Sequence, residues 1–526
     1  MVSGPPPLRR CARAALLALV PALALAAPGR ADATESWPPR AVPVTGGACS
    51  ERLVGTNRTF DVGPGQPIED AATVPWLSLR AGDVVNLHHR AEPYRVKIAL
   101  RARGTRAAPV TINGVTNARC ERPTVDGENA RVADDAAAAS HYRTEDTERL
   151  GTIFLYRGPN DPWGSRPRHV TIRNLVVTGA REGNRYTGQD GVEREYLAGA
   201  AGIYAIVVDH LTVENCVITG NGNGVFVNSR DDDETSSHVT LRGNALLGNG
   251  NPGSWLEHNV YVQARRALYE GNLIGQLVPG AEGSSLKDRS SGTVVRYNRI
   301  VAAARALDLV EIEGGVRDVI ADPLYDSAWA YGNLVESDLS TPARSSVSLV
   351  HFGGDNAPEH FRTGTLHWYH NTVATRGDRD EFWYMVSFDL PALGERVLAS
   401  NNAFVHEGSS VRYTVKDAGR AELIGVNALA EGWLPARSPE ADVRVDAVVG
   451  IPEGARAIEP SGRPVAGSAL VDAADTGVDD RVAITDHGAS PVHPRVWRVA
   501  HQPAEPWGIR ARRVRGSAPD LGAFER

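Results

Sequence analysis

Methionine is almost absent and aromatic residues are few: the 526 residues contain 2 Met and 6% Phe, Trp and Tyr, against 53 Gly and 33 Pro. That many breakers with so few large side chains points away from long helices and toward many short segments joined by turns. Neither charge sign dominates, since 56 Lys and Arg against 63 Asp and Glu leave a net charge of -7. Nucleic acid is thereby disfavoured as a main partner, because phosphate binding draws on a cationic surplus or patch. Beyond the N-terminus no stretch approaches the roughly 20 apolar residues of a membrane-spanning helix, so no membrane partner is expected. What remains, 42% hydrophobic and 23% charged, is an ordinary globular composition.

At the N-terminus Arg9, Arg10 and Arg13 precede an apolar run from Ala14 to Ala27 and the small-residue pattern Ala31-Asp32-Ala33. This reads as a secretory signal over residues 1–33, followed by an N-terminal segment, 34–74, and the expected location is secreted or periplasmic. Its removal takes Cys11 with it and leaves Cys49, Cys120 and Cys216 in an oxidising compartment. Cys49 with Cys120 is the expected disulfide. Cys216 sits in the apolar run Cys216-Val217-Ile218 and is expected to be a buried small hydrophobe.

One short pattern, Asn, a variable residue, then an aliphatic or aromatic one, recurs through the middle. It begins at Asn174, Asn215, Asn244, Asn272, Asn298, Asn333, Asn371 and Asn402, at spacings of 41, 29, 28, 26, 35, 38 and 31 residues. A short β-type run precedes many of these, such as His169-Val-Thr-Ile-Arg or Thr293-Val-Val-Arg-Tyr. A minimum period in the twenties with variable insertions fits a parallel β-helix, in which side chains repeat at each coil and extra length forms loops. An Asn at a fixed turn can satisfy backbone groups of the neighbouring coil through its amide. Propeller and sandwich repeats carry other signatures, which are not found.

Ala81-Gly-Asp-Val-Val-Asn-Leu-His-His, Ala107-Ala-Pro-Val-Thr-Ile-Asn-Gly, Pro123-Thr-Val-Asp-Gly and the closing Gly516-Ser-Ala-Pro-Asp-Leu-Gly-Ala-Phe-Glu resemble phrases of secreted bacterial right-handed parallel β-helix proteins. That group includes pectate lyases, alginate lyases and chondroitinase B. The resemblance implies an all-β solenoid, placed at residues 75–430 with an irregular C-terminal segment, 431–526, packed along it. It also implies a polysaccharide-degrading activity.

Aligning coils on Asn272 and Asn298 sets Tyr261 beside Lys287 and Gln263 beside Arg289, with Val260 and Leu286 inward. If Val310 and Ile312, Val350 and Phe352, then Val386 and Phe388 continue the inward column, period-two alternation turns Glu311 and Glu313, His351 and Gly353, Ser387 and Asp389 outward. Coils about 4.8 Å apart would then carry a polar stripe with two cations, two carboxylates and a histidine. Such a stripe equally suits plain cross-coil ion pairs, Lys287 with Glu311 and Arg289 with Glu313, worth about 0.2 to 1 kcal/mol each if exposed. Insertions at Asp231 to Glu234, Arg317 to Asp326 and Gly353 to Arg362 are placed to wall a groove.

The chemistry that fits this stripe is β-elimination on an acidic, uronic-acid polysaccharide by a monomeric enzyme. Lys287 is the candidate base, Arg289 neutralises the substrate carboxylate, and His351 donates a proton to the departing oxygen. Tyr261, Gln263 and Asp355 are candidate substrate contacts. Glu311, Glu313 and Asp308 are a candidate Ca²⁺ set, since hard cations take several oxygen ligands. The resemblance to the chondroitinase B and alginate lyase branch implies a similar combination of Glu-x-Glu, Lys and Arg, here Glu311-Ile-Glu313, Lys287 and Arg289. The alternative is a glycoside hydrolase using Glu311 and Glu313, about 7 Å apart on one strand face, with Asp308 or Asp355 able to replace either. A non-catalytic glycan-binding solenoid with Trp255, Tyr261, Trp329 and Trp368 as platforms is a third reading. His88 with His89, and His367 with His370, read as surface or ladder residues rather than zinc ligands, and no Gly-x-Ser-x-Gly elbow is found.

Overall fold

The computed structural model describes residues 37–38, 41, 43–134, 141–142, 145–230, 234–339, 348–378, 384–409, 411–435, 438–475 and 499–526. The expected signal, 1–33, and Asp231 to Asp233 lie outside the described residues. Each circuit of the chain lays down three short strands. Leu286–Asp288, Thr293–Arg296 and Arg299–Val301 form one coil, and Arg305–Leu309, Ser327–Tyr331 and Leu334–Asp338 the next. Ser348–Phe352, Thr365–Tyr369 and Thr372–Arg376 follow, and each strand pairs in parallel with its counterparts one coil before and after. The stack is a parallel β-helix with one 13-stranded sheet, called the cleft sheet below, and a 22-stranded ladder covering the other two faces. Among the described residues no helix is long and apolar enough to cross a membrane.

The ladder Asn residues sit where the chain turns between the second and third strand of a coil. Oδ1 of Asn298 accepts from the backbone N–H of Asn272 at 2.9 Å, and Asn298 in turn donates its own N–H to Asn333 at 2.9 Å. The same bond links Asn244 to Asn272, Asn333 to Asn371, Asn371 to Asn402 and Asn402 to Asn427, a rung that the repeat left out. Asn174 and Asn215 are rungs of a different ladder, in which Asn215 Nδ2 donates to Asn174 Oδ1 and Asn174 Nδ2 to Asn113 Oδ1, at 2.8 Å each. Each stands one residue earlier, at a left-handed φ of 61° or 51°, where later coils place Gly243, Gly271 or Gly332. Cys216 occupies the rung position and donates its backbone N–H to Asn244. Asn tolerates a left-handed conformation better than most residues, which explains why the same residue type appears one place out of phase.

Inside, Val260, Leu286, Leu307, Val350 and Phe388 form one column of the cleft sheet, all buried, in a core that runs the length of the stack. Burial of each such side chain contributes about 1.5 to 3 kcal/mol. The parallel ladder starts at Thr59–Val62 and ends at Asp442–Ile451, beyond both expected limits of 75 and 430. The last strand carries no Asn, so the repeat did not reach it. Residues 499–526 pack on the flank, with Leu521, Ala523 and Phe524 buried, the Gly522 N–H donating to Asn401 O, and the Ala523 N–H donating to Thr372 Oγ1. The Cys49–Cys120 disulfide forms as expected, and Cys216 is a buried free thiol that burial pushes up to about 11.

Candidate functional site

Along the cleft sheet one outward column reads Phe226, Tyr261, Lys287, Asp308, His351, Asp389 and Lys416. The neighbour of Lys287 is therefore Asp308, not Glu311. The strand is Arg305–Leu309, with Leu307 and Leu309 inward, and Glu311 and Glu313 follow it in an insertion that reaches Asp326. Leu307-Asp308-Leu309 and Val310-Glu311-Ile312 alternate equally well, and a period of two cannot choose between them. The expected pairs of Lys287 with Glu311 and Arg289 with Glu313 are accordingly replaced. Lys287 and Arg289 do face outward as a pair, while Asp288 between them points into the coil and accepts from Tyr269 at 2.7 Å.

The column is roofed rather than open. Lys287 Nζ lies 2.7 Å from Asp308 Oδ2 and 3.0 Å from Asp355 Oδ2, and Arg289 Nη2 lies 3.0 Å from that same Asp355 oxygen. Asp355 is held in place because its backbone N–H and those of Asn356 and Ala357 all donate to the Glu311 carboxylate, at 2.7, 2.7 and 2.9 Å. The Lys287, Arg289, Asp308 and Glu311 side chains are 9% exposed or less, and Asp355, at 20%, is the one that meets solvent most. Burial pushes Asp355 up, but Lys287 and Arg289 outweigh it and hold the carboxyl below its ordinary range. At Asp308 burial is likewise overcome, by Lys287, His351 and Arg305, and the group stays ionised.

His351 Nδ1 is 2.8 Å from Asp308 Oδ1. An ionised carboxylate only accepts, so Nδ1 carries the hydrogen and the lone pair of the neutral ring is on Nε2. On the other side of His351, Asp389 is pushed up from the ordinary carboxylate range by burial, against the pull of His351 and Lys416. Glu395, fully buried near Gly353, is pushed up to about 8 by burial and by Asp389 and Glu311.

The candidate calcium set does not come together. Both Glu311 oxygens are taken by the three loop N–H groups, Glu313 accepts from Tyr261 at 2.6 Å, and Asp308 is shared among Lys287, His351 and Ser284. With Lys287 and Arg289 among them, these oxygens already have their cations, and they do not fit Ca²⁺. The hydrolase pair fails for the same reason, since Glu311 and Glu313 lie on no common strand face. Gln263 is also occupied on both sides of its amide, donating to Asn228 and accepting from the Glu313 N–H.

Other expectations resolve simply. Trp329 and Trp368 are buried and away from the cleft sheet, whereas Trp255 is 73% exposed. Glu234 is buried against Arg157 at 2.6 Å. His88 pairs with Asp61, His367 stacks on Trp329, and His370 lies beside Arg512. Among the described residues one group of three potential ligands does gather, Asp209, His210 and His238. Its imidazoles stack 4.3 Å apart at 12°, so their in-plane lone pairs run parallel rather than converge. A cavity of about 660 Å³ on another face is lined by Arg299, Glu336, Asp338 and Arg376, which pair with one another.

Sequence reasoning missed His258, which lies in the turn entering Val260–Val262, where strand alternation does not apply. It also missed Lys416 and Glu395, since no repeat motif marks either.

No family model and no curated protein matches the chain. Among solved structures it is similar to an alginate lyase from Paenibacillus sp. str. FPU-7, at 13% identity and a TM-score of 0.40 over 74% of this chain and 99% of that one. It is similar to the pectate lyase Pel9A at 13% identity and a TM-score of 0.38, over 91% and 98%. A DFA-IIIase from Arthrobacter chlorophenolicus A6 follows at 14% and 0.34, over 69% and 88%. Likeness at this level concerns the stacking of coils and not the reaction.

Proposed function

We propose that the protein is a secreted or periplasmic polysaccharide lyase that cleaves a uronic-acid glycan by β-elimination. One observation carries the reading: Asp355 Oδ2 stands 3.0 Å from both Lys287 Nζ and Arg289 Nη2, so the cleft already has a position built for a single anionic oxygen. In this reading a substrate carboxylate takes that position and the Asp355 side chain turns to solvent. Lys287 and Arg289 then neutralise the charge that grows on the carboxylate as the neighbouring C–H bond breaks. His351 Nε2, with its ring oriented by Asp308, accepts the C5 proton. The C–H electron pair forms the C4–C5 double bond, the C4–O bond breaks, and the imidazolium returns its proton to the departing oxygen. Lys287 thereby acts as a cation beside two carboxylates rather than as the free amine of the base.

Glycoside hydrolysis is the second reading, favoured by one observation: Asp389 is held up while Asp308 and Asp355 are held down, the division of labour that an acid and a carboxylate partner need. Incubation with acidic and neutral glycans, with and without a chelator, separates the two. Ultraviolet absorbance of a new double bond is expected with uronate glycans, and reducing ends without absorbance would reject the lyase. His351→Ala is expected to lower kcat by about 100-fold or more. Arg289→Ala is expected to lower kcat/KM by a similar factor of about 100. Wild-type rates in both variants would reject the site.

A further inference from the structure

His258 is a buried titratable group beside the cleft that this reaction leaves unused. It is 4% exposed, and its ring stacks 5.8 Å from that of Tyr261 at 26°. The backbone N–H of Ser284, one coil further on, donates to its Nδ1 at 2.8 Å. Only a lone pair accepts an N–H, so Nδ1 is bare and the neutral ring carries its hydrogen on Nε2. Burial, aided by the positive charges of Lys287 and Arg289, pushes the imidazole down to about 3, which keeps the ring neutral wherever a glycan enzyme works. No described residue accepts from Nε2, and Nε2 is not among the buried polar atoms that lack a partner, so it is open to water.

The neutral form of His351 is the opposite tautomer, with Nδ1–H given to Asp308 and the lone pair on Nε2. His258 lies in the turn that leads to Tyr261, so the coils of the two histidines flank those of Lys287 and Asp308. Three coils separate them, roughly 14 Å along the solenoid axis, too far for both to serve one glycosidic bond. Trp255, three residues before His258 in the chain, is 73% exposed.

We propose that His258 is a substrate-positioning residue whose fixed Nε2–H donates to an uncharged oxygen of a sugar bound beside the one being cleaved. The assignment rests on the reading of the cleft as a glycan site and adds a direction to it. The chain lies along the solenoid axis, with one end over His351 and the other over His258 and Tyr261.

Two substitutions separate holding the fold from holding the substrate. His258→Asn puts an amide oxygen near the Nδ1 position, where it still accepts from Ser284, but has nothing at Nε2. His258→Gln puts an amide N–H near Nε2. With a tetrasaccharide of the uronic acid that the wild type cleaves, the Asn variant is expected to raise KM about 3- to 10-fold, the worth of one neutral hydrogen bond, with kcat within about 2-fold. The Gln variant is expected to restore KM; the Asn variant is expected to melt like the wild type, and the Gln variant, which leaves the Ser284 N–H without its acceptor, to melt lower. Nitrogen NMR of ¹⁵N-histidine-labelled protein gives a readout that needs no activity: His258 is expected as the neutral Nε2–H tautomer, unchanged from pH 5 to 9. An unchanged KM in the Asn variant overturns the positioning role, as does a His258 ring that carries its hydrogen on Nδ1 or titrates near the ordinary value of about 6.5. A wild type that neither binds nor cleaves any uronate oligosaccharide overturns the functional reading, and the positioning role with it.

Discussion

Asn298 makes five contacts with one amide. Its Oδ1 accepts from the backbone N–H and the side chain of Asn272, and its Nδ2 stands at donating distance from the carbonyls of Tyr269 and Arg296 and from Asn333 Oδ1. Asn298→Ala would leave the Asn272 N–H buried without an acceptor in the middle of the stack, at a cost of roughly 1 to 3 kcal/mol, read as a lower midpoint in urea unfolding. Asn298→Asp should cost more, because a second carboxylate oxygen would then face two carbonyls. Charge obeys the same accounting in the cleft. Lys287→Ala strips a cation from Asp308, which is 1% exposed, and is expected to destabilise by about 3 to 5 kcal/mol as well as to lower activity. That outcome differs from what an exposed stripe implied, since a solvated lysine could be trimmed at little cost to folding. An equal melting temperature in Lys287→Ala would show the roof to be looser than its contacts imply.

Between residue and molecule, the segment Gly353–Ala357 decides what the cleft can do. It presents Asp355 because three successive N–H groups close on Glu311, and Gly353, at φ 110°, lies so near Glu395 that a Cβ there would meet its carboxyl carbon at 2.0 Å. Glu395 itself gives a pH test. Its folded value, about 8, is above the ordinary carboxyl value of 4.5, so the native state holds a proton that the unfolded chain gives up. The stabilising contribution is full below about pH 4.5 and is lost as pH rises through 8, at about 1.4 kcal/mol per unit at most. Glu395→Gln keeps a neutral side chain at every pH, so its melting temperature should match the wild type at pH 5 and exceed it at pH 8. Parallel pH profiles for the two proteins would contradict the assignment. The sequence marked this element as an insertion, Gly353 to Arg362, with Asp355 a candidate substrate contact, but not its closure on Glu311 or its approach to Glu395. The Lys287-Asp-Arg289 face was legible, because an Asn twelve residues after Leu286 recurs twelve residues after Val260. The Glu311 phase was not, because the insertion through Asp326 breaks that count and leaves two equivalent alternations.

At the scale of the whole molecule the fold was the easiest part to read, since a coil that repeats must repeat its turn residue, and Asn244 to Asn402 do so. Its ends were harder: Asp442–Ile451 completes the ladder by backbone pairing and apolar packing without an Asn rung of its own. A solenoid's coils touch only their neighbours, so disturbance at one end should stay there. The Cys49–Cys120 bridge closes a segment of 71 residues and ties the chain ahead of Thr59–Val62 to the stretch just after Val110–Val115. Chain entropy alone makes such a closure worth about 4 kcal/mol. Replacing both cysteines by serine should therefore speed hydrogen exchange in Thr59–Val62, Val84–His88 and Val110–Val115. The strands carrying Lys287, Asp308 and His351, several coils away, should exchange as before, and kcat should hold. Faster exchange spread evenly through the cleft sheet would mean that the stack unfolds as one unit and that its N-terminal clasp governs the site as well.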